Sequence, residues 1–469
     1  MANTPKTRFR RQVRNFSLLW AGITFIMGAT TFIAIYAAYG PLTGTANDNL
    51  RNVGIPTGTS VPAVAAVPSS TPRPTLPPAS ATPQTAAQAV ASAAVQQSDT
   101  PAPTATQLPI DNKRFQLGVQ VQISTDHMDQ WTDVAKNQLS VNWVKEQVRW
   151  ADTEKTKGTY DWFETDTYLT AAAAKGLQVL VSVVTAPDWA RDPGVDLTKN
   201  GPPADPQDYA NFVVALLRRY PGKIQAVEVW NEENLDREWT SSKGLSAANY
   251  VDLLHTTYQA VKAVDPGVIV ISGALSPTGV NDGVGAYDDF VYMDAMIEAG
   301  LLNYADCIGA HHNGYNVSPD YTYDAIPNDP TAIFRGPFDN PHHSWSFRST
   351  LQTYANKISL KNGDQKLCIT EFGWPSADGL SGVPNGFDFA KDNTLQEQND
   401  YTVKALDFMK NSGYVWLAFL WNLNYGPQAG WAADNDNVAY SIIGPNFVFR
   451  PVFNGVRDWN RAYEATQPH

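Results

Sequence analysis

Two short segments place a carboxylate where an apolar run gives way to polar residues. Residues 228–234 (EVWNEEN) contain Glu232, and residues 370–374 (TEFGW) contain Glu371. A charged group in such a position is costly to desolvate unless it is paired or used in chemistry. Two facing carboxyl groups can cleave a glycosidic bond, because one protonates the leaving oxygen while the other attacks the anomeric carbon or activates water.

Both segments lie in a region of alternating strand and helix patterns that begins near residue 114. Apolar runs predict eight strands, at 115–123, 142–150, 177–186, 224–230, 268–274, 305–312, 365–374 and 414–424. Each is followed by a predicted helix, at 131–139, 163–175, 208–220, 247–264, 288–299, 346–360, 395–411 and 452–463. This alternation predicts an α/β fold with a parallel sheet, and eight units predict a closed (β/α)8 TIM barrel. A doubly wound open sheet is the alternative, but no Gly-x-Gly-x-x-Gly motif follows the first strand.

The predicted barrel brings the two carboxylates together. Functional groups of such barrels come from the C-terminal ends of the strands. Glu232 follows the fourth strand and Glu371 ends the seventh, so the two should face each other across the mouth.

The Trp-Asn-Glu sequence at 230–232 and the Thr-Glu-Phe-Gly-Trp sequence at 370–374 resemble those of the clan A glycoside hydrolases. These are the cellulase-like and xylosidase-like barrels of families 5 and 39, and the resemblance covers residues 114 to about 463. It implies that Glu232 is the acid/base, that Asn231 holds the sugar 2-hydroxyl, and that Glu371 is the nucleophile. The implied reaction is retaining hydrolysis of β-glycosidic bonds in oligo- or polysaccharides by double displacement, with no metal and no organic cofactor.

The same resemblance implies further substrate-binding residues. His311 matches a histidine that bonds to substrate and nucleophile, and either Tyr315 or Asn313 fills a second such role. Trp421 matches a tryptophan that lies under the sugar being cleaved; packing in the core is its alternative. Trp374, after the seventh strand, falls on the catalytic face, which favours sugar stacking.

Two positions depart from the clan pattern. Glu233 stands where Pro is expected after the fourth strand, which puts the geometry of the turn in doubt. The arginine expected within the second strand is replaced by Lys145, with Arg149 on the same face by period two. Either Lys145 provides a point charge near Glu371, or Arg149 supplies the guanidinium one pleat further along.

The N-terminal quarter of the chain has a different character. Residues 1–15 contain five basic residues and no acidic one, which predicts a cytoplasmic tail. Residues 16–39 form an uncharged run of 24 residues that predicts a transmembrane anchor; a cleaved signal peptide is the alternative. Residues 40–109, rich in Pro, Thr, Ala and Ser, predict a disordered linker. The catalytic domain, 110–469, is then expected to be extracytoplasmic, membrane-anchored or, after cleavage, secreted.

Composition limits the partners of the chain. The net charge of −12 argues against nucleic acid, which needs a basic surface. The histidines show no zinc-binding spacing. Cys307 and Cys368 lie in apolar runs and are expected to be buried thiols, although an extracytoplasmic location leaves one disulfide open.

The expected partners are therefore a carbohydrate substrate and a membrane, and the chain is expected to be a monomer. A first rival function is that of a non-catalytic carbohydrate-binding barrel at the cell surface, which keeps the shape without the chemistry. A second is that of a structural envelope protein whose barrel is only a scaffold. The presence of both carboxylates favours the enzyme.

Overall fold

The computed structural model of the chain describes residues 110–329 and 342–467. The predicted tail, anchor and linker, at 1–15, 16–39 and 40–109, lie outside the described residues, so those predictions remain untested. Within the described ranges, no helix is both long and apolar enough to span a bilayer.

Eight parallel strands close into a barrel in sequence order. They are β1 (Gln116–Gln120), β2 (Trp143–Arg149), β3 (Gln178–Val184), β4 (Ala226–Val229), β5 (Ile269–Ser272), β6 (Cys307–Asn313), β7 (Lys366–Gly373) and β8 (Val415–Leu420). The ring is closed by β1 against β8, where Gln116 lies opposite Leu417 and Val119 lies opposite Leu420. The predicted barrel is therefore confirmed, and the open-sheet alternative is wrong.

Eight helices surround the strands. They are α1 (Met128–Asp133), α2 (Phe163–Ala174), α3 (Pro206–Arg219), α4 (Ala247–Val264), α5 (Asp289–Glu298), α6 (Phe347–Leu360), α7 (Leu395–Ser412) and α8 (Pro451–Glu464). Short helical turns occupy the loops, at Val134–Gln138, Trp150–Thr153, Asp188–Ala190, Leu301–Asn303, Tyr323–Ala325, His343–Trp345, Asp388–Lys391, Tyr425–Gln428, Val438–Tyr440 and Pro445–Phe447. A small antiparallel pair, Ile443–Gly444 with Val448–Phe449, lies between β8 and α8.

Local sequence sets where these helices begin and end. Helix α7 starts at a capping box, in which Thr394 accepts from the Glu397 backbone and the Glu397 side chain accepts from Thr394. It ends at Gly413, whose φ of +75° suits a residue without a Cβ. Helix α3 starts with Asp205 as its N-cap and a proline in the first turn.

The lower half of the barrel interior is filled by apolar side chains, which we call the floor. Its buried members are Trp143, Leu180, Ala226, Ile269, Ile271, Cys307, Cys368, Trp416, Leu417 and Phe419. The close fit depends on Gly118, because a Cβ there would lie 2.6 Å from the Phe419 ring.

The two cysteines of the floor form a disulfide, so the expectation of two thiols was wrong. Cys307 on β6 and Cys368 on β7 lie on adjacent strands with Cα atoms 5.8 Å apart, within the range that a disulfide requires. Sequence alone could not decide this, because it does not give the register between the two strands.

Candidate active site

Directly above the floor lies a charged layer made of Lys145, Ser182, Glu228 and Thr370, all fully buried. The Lys145 ammonium is 3.5 Å from Glu228 and 3.0 Å from Glu371, in the mouth above. Both hydroxyls of the layer donate to Glu228, Thr370 at 2.6 Å. Burial lowers the pKa of Lys145, but the two carboxylates outweigh it and the net pKa is raised. Lys145 is therefore a permanent buried cation beneath the mouth.

The two predicted catalytic carboxylates meet around one imidazole. His311 Nδ1 lies 3.3 Å from a Glu232 oxygen, and His311 Nε2 lies 3.8 Å from a Glu371 oxygen. Asn313 donates to the other Glu371 oxygen at 3.3 Å. Burial lowers the pKa of His311, but Glu371 and Glu232 outweigh it and the net pKa is raised. Glu371 thus has an ammonium, an amide and an imidazole beside it.

The loop after β4 holds Glu232 in an uncommon backbone conformation. Trp230 has a φ of +80° and Glu232 a φ of +48°, both in the left-handed region that costs a non-glycine residue about 1–3 kcal/mol. Two contacts fix it: the Trp230 indole donates to the Glu238 carbonyl at 3.0 Å, and the Glu232 amide donates to the Ala274 carbonyl at 3.0 Å. This strained backbone orients the Glu232 carboxylate into the mouth of the barrel.

Arg237, which sequence reasoning missed, is the second partner of Glu232. Its guanidinium lies 2.7 Å from the Glu232 oxygen that does not face His311, and its side chain is 65% exposed. Burial raises the pKa of Glu232, but His311 and Arg237 outweigh it and hold the pKa at about 2. Both partners favour the ionised form of Glu232, whereas the acid/base role that the resemblance implies needs a protonated Glu232 in the first step. Arg237 lies in an irregular loop, where no periodicity marks a side chain for the site.

Two further carboxyl groups flank Glu232. Glu233, in the place of the expected proline, is fully buried, and a Cβ on Gly273 would lie 2.3 Å from one of its oxygens. Burial raises its pKa well above the usual range, so it is a neutral acid inside the wall. Glu238 lines the mouth, where burial and the charge of Glu232 raise its pKa to about 7. The Arg237 guanidinium is 3.8 Å from Glu238 as well.

These groups open onto a polar cleft of about 430 Å³. Residues from β2 and from the ends and loops of β4 to β8 line it: Gln147, Asn231, Glu232, Arg237, Glu238, Ser276, Pro277, His311, His312, Asn313, Tyr315, Ser344, Glu371, Gly386, Phe387, Phe389, Trp421, Asp436, Asn437 and Tyr440. Asn231 accepts from Gln147 at 3.2 Å. Trp421 contacts Tyr425 in a tilted arrangement, with ring centroids 4.9 Å apart, and is 8% exposed. The cleft is thus lined by four residues that the sequence predicted to bind substrate: Asn231, His311, Tyr315 and Trp421.

Three predicted substrate-binding residues lie elsewhere. Lys145 is below Glu371 and has no exposed surface. Arg149 ends β2 where the chain turns into Trp150–Thr153, so its side chain leaves the barrel, is half exposed, and pairs with Asp152 at 2.8 Å. Trp374 is buried and donates to the Val317 carbonyl, so it anchors a loop.

Outside the cleft, one group in the described part of the chain brings three potential metal ligands within 4.8 Å of one another: Asp288, His342 and His343. Asp288 also caps helix α5, and its carboxylate is 2.7 Å from His343. A helix cap with a histidine partner accounts for this arrangement.

Comparison with known proteins gives matches of two kinds. A family model described as glycosyl hydrolase family 10 matches residues 109–272, which span β1 to β5 and include Glu232 but not Glu371. No protein of curated function matches the sequence.

Similar solved structures include a family 39 glycoside hydrolase from the gut symbiont Bacteroides cellulosilyticus WH2, at 17% identity and a TM-score of 0.53. That match covers 76% of this chain but 65% of the other, less than two thirds of its length. A family 39 enzyme from Xanthomonas axonopodis pv. citri matches at 16% identity and 0.51, over 78% and 72% of the two chains. A glucosidase from Croceicoccus marinus matches at 14% identity and 0.51, over 76% and 69%.

At these identities, the solved structures show a shared fold. Together with the family model, they confirm the resemblance of this barrel to the clan A glycoside hydrolases.

Proposed function

We propose that this barrel, which resembles those of the clan A glycoside hydrolases, is a retaining hydrolase of β-glycosidic bonds in oligo- or polysaccharides. The observation that carries the proposal is the pairing of Glu232 and Glu371 at opposite nitrogens of His311, inside a polar cleft. Glu371 is the candidate nucleophile because it has the permanent cation Lys145 beside it. Glu232 is the candidate acid/base because its other oxygen faces the exposed rim at Arg237.

The reaction takes two displacements. A Glu371 oxygen first attacks the anomeric carbon, and the bond to the leaving oxygen breaks as that oxygen takes a proton from Glu232. A covalent glycosyl ester on Glu371 results. Glu232 then removes a proton from water, the water oxygen attacks the same carbon, and the ester bond breaks. Glu371 leaves as a carboxylate beside Lys145, and Glu232 regains its proton.

The first displacement needs Glu232 protonated, whereas Arg237 holds it ionised in the unliganded chain. We propose that the sugar on the leaving-group side displaces the Arg237 guanidinium from Glu232. Glu238, 3.8 Å from Arg237 and with a pKa of about 7, is then the carboxyl group that becomes its partner. Loss of the guanidinium raises the pKa of Glu232 and prepares it to donate a proton.

We also propose that the catalytic domain is extracytoplasmic and held to the membrane by residues 16–39. The buried Cys307–Cys368 disulfide is consistent with an oxidising compartment. Fractionation tests the anchor: the full chain should stay with membranes after alkaline carbonate washing. Its complete release into the wash would leave a cleaved, secreted protein as the alternative.

The activity is tested on aryl β-glycosides and defined β-linked oligosaccharides. Hydrolysis is expected, and NMR of the first product formed should show retention at the anomeric carbon. Inversion would instead require a water between the carboxylates and refute the double displacement. Binding of the same sugars without any turnover would favour the non-catalytic carbohydrate-binding barrel.

A further inference from the structure

A second cavity, of about 180 Å³, lies beside the cleft, between the end of β2 and helix α2. We call it the side cavity; its lining includes Glu146, Gln147, Glu164, Tyr168, Leu169 and Tyr425. At roughly 30 Å³ for each water in the liquid, it has room for about six waters, enough for a compact ligand but not for a chain.

Two deeply buried polar atoms of this cavity have no hydrogen-bond partner among the described residues. They are one carboxyl oxygen of Glu146, which is 8% exposed, and the hydroxyl of Tyr168, which is 2% exposed. Leaving such groups unpaired is energetically unfavourable, because they lose their bonds to water and gain none in return. Two unpaired groups in the wall of one small cavity indicate a ligand that carries hydroxyl groups.

The side cavity and the cleft share a wall. Gln147 lines both, and its amide donates to Asn231 in the cleft at 3.2 Å. On the other side, the contacting rings of Trp421 and Tyr425 place one ring at the cleft and the other at the side cavity. A substrate bound in the cleft therefore lies beside residues that also line, or contact the lining of, the side cavity.

We propose that the side cavity binds a second, uncharged sugar residue of the substrate, with Glu146 and Tyr168 bonding its hydroxyl groups. This inference rests on the proposed glycosidase function and deepens it. The walls combine aliphatic side chains, Val148, Leu169 and Val181, with polar ones, which suits a sugar residue with apolar ring faces and hydroxyl groups at its edges.

Charge in the cavity favours a neutral sugar over an acidic one. Burial and the charge of Glu164 raise the pKa of Glu146 well above its usual range, so Glu146 is a neutral acid that both donates and accepts. An anionic sugar would meet Glu164 directly, and the neighbouring guanidinium of Arg149 is already paired with Asp152 at 2.8 Å.

The test compares Tyr168→Phe with Tyr292→Phe in the full chain. Tyr292 is a matched control, because its hydroxyl is also buried and without a partner among the described residues, but it lies in α5 and lines neither cavity. Tyr168→Phe should lower kcat/KM on neutral tetrasaccharides (cello-, xylo- and manno-tetraose) roughly 3- to 10-fold, the worth of one hydrogen bond. It should leave aryl monoglycosides unchanged, and Tyr292→Phe should change neither class. Glu146→Gln should repeat the Tyr168→Phe pattern.

Calorimetry on the Glu371→Gln chain repeats the comparison as binding, with neutral and uronate-containing tetrasaccharides. If the Tyr168→Phe and Tyr292→Phe proteins bind and hydrolyse tetrasaccharides equally well, the side cavity does not bind a sugar residue. The proposed glycosidase function would be unaffected by that result. Tighter binding of the uronate-containing sugars would overturn its preference for neutral residues. Absence of turnover of every glycoside by the unmodified chain would overturn both proposals.

Discussion

On strand β7, Cys368 and Glu371 lie three residues apart, one in the floor of the barrel and the other in its mouth. Strand β6 shows the same contrast, with Cys307 below and His311 above. The floor is apolar and closed by a covalent bond, whereas the mouth contains ionisable groups that are almost as deeply buried. The floor thus gains stability from burial, while the mouth is stable only as long as each charge keeps its partner.

The largest effect is expected at the nucleophile. Glu371→Gln keeps the shape of the mouth but cannot form the glycosyl ester, so activity should fall roughly 10⁴–10⁶-fold on every substrate. Glu232→Gln should retain partial activity, but only on aryl glycosides whose leaving group needs no proton. Steady-state kinetics checks both, with Glu298→Gln on the surface of α5 as the matched control. If Glu371→Gln and Glu232→Gln lose the same activity on all substrates, the two residues cannot be distinguished as nucleophile and acid/base.

The next effect is on the charged layer. Lys145→Met leaves Glu228 and Glu371 buried without their cation and should destabilise the fold by roughly 3–5 kcal/mol, besides reducing activity. Denaturant unfolding measures the loss. The double variant Lys145→Met/Glu228→Gln removes one of the two uncompensated charges and should recover part of the stability. A double variant less stable than the single one would mean that the layer is held by packing, not by charge balance.

A change in the floor should lower stability without lowering activity, in contrast to a change in the charged layer. Cys307→Ala together with Cys368→Ala removes the disulfide and should cost about 2–4 kcal/mol of unfolding free energy. The variant should keep its kcat at temperatures where it is folded, because no floor residue reaches the cleft. Addition of a reductant should lower the stability of the natural chain and leave the variant unaffected. A lower kcat in the folded variant would show that the floor also influences the catalytic groups of the mouth.

A smaller effect is expected at the aromatic wall of the cleft. Trp421→Ala should weaken binding of the sugar at the cleavage point, with a stacking contribution of roughly 0.5–1.5 kcal/mol beyond area burial. The KM for aryl glycosides should therefore rise. Trp374→Phe is the comparison, because Trp374 anchors a loop through the Val317 carbonyl and should leave KM unchanged. Equal changes of KM in the two variants would mean that Trp421 packs in the core and does not contact the sugar.

Sequence predicted the parts of this molecule that repeat. Strand and helix periodicity predicted all eight units, and the resemblance to the clan A glycoside hydrolases put Lys145 inside the barrel, where it contacts Glu371. Period-two alternation from Lys145 failed for Arg149, because the strand ends there and the next turn carries its side chain outward. Trp374 was expected to stack on sugar because it follows the seventh strand, but its indole is buried and donates to the Val317 carbonyl.

Features set by loops were beyond sequence reasoning. The pairing of Arg237 with Glu232 depends on the left-handed residues of the loop after β4, and no spacing rule predicts such a contact. The sequence predicted only an altered turn at Glu233, yet the absence of a side chain at Gly273 gives it a buried place. In both examples the position of the side chain follows from irregular or non-adjacent backbone, which strand and helix periodicity does not predict.

Arg237 provides the smallest and most specific prediction, a change in pH dependence. The profile of kcat/KM reports the free enzyme, and the first displacement needs protonated Glu232. Activity on substrates that need this proton therefore falls as pH rises through the pKa of Glu232, which His311 and Arg237 lower. Arg237→Gln should raise that pKa, and so move the alkaline fall of kcat/KM to higher pH. A nearby guanidinium lowers a carboxyl pKa by roughly 1–3 units, and the exposure of Arg237 favours the lower end.

Glu238→Gln should act in the opposite direction. Without Glu238, Arg237 has no second carboxylate to move to when the sugar binds, so it stays with Glu232. The profile of kcat, which reports the enzyme–substrate complex, should then show its alkaline fall at lower pH. Aryl glycosides that need no proton on the leaving group are the control, because their profiles should not follow Glu232 in either variant. Alkaline limbs that coincide in the natural chain and both variants would show that Arg237 does not control the charge of Glu232. The mouth would then owe its charge balance to His311 and Lys145 alone.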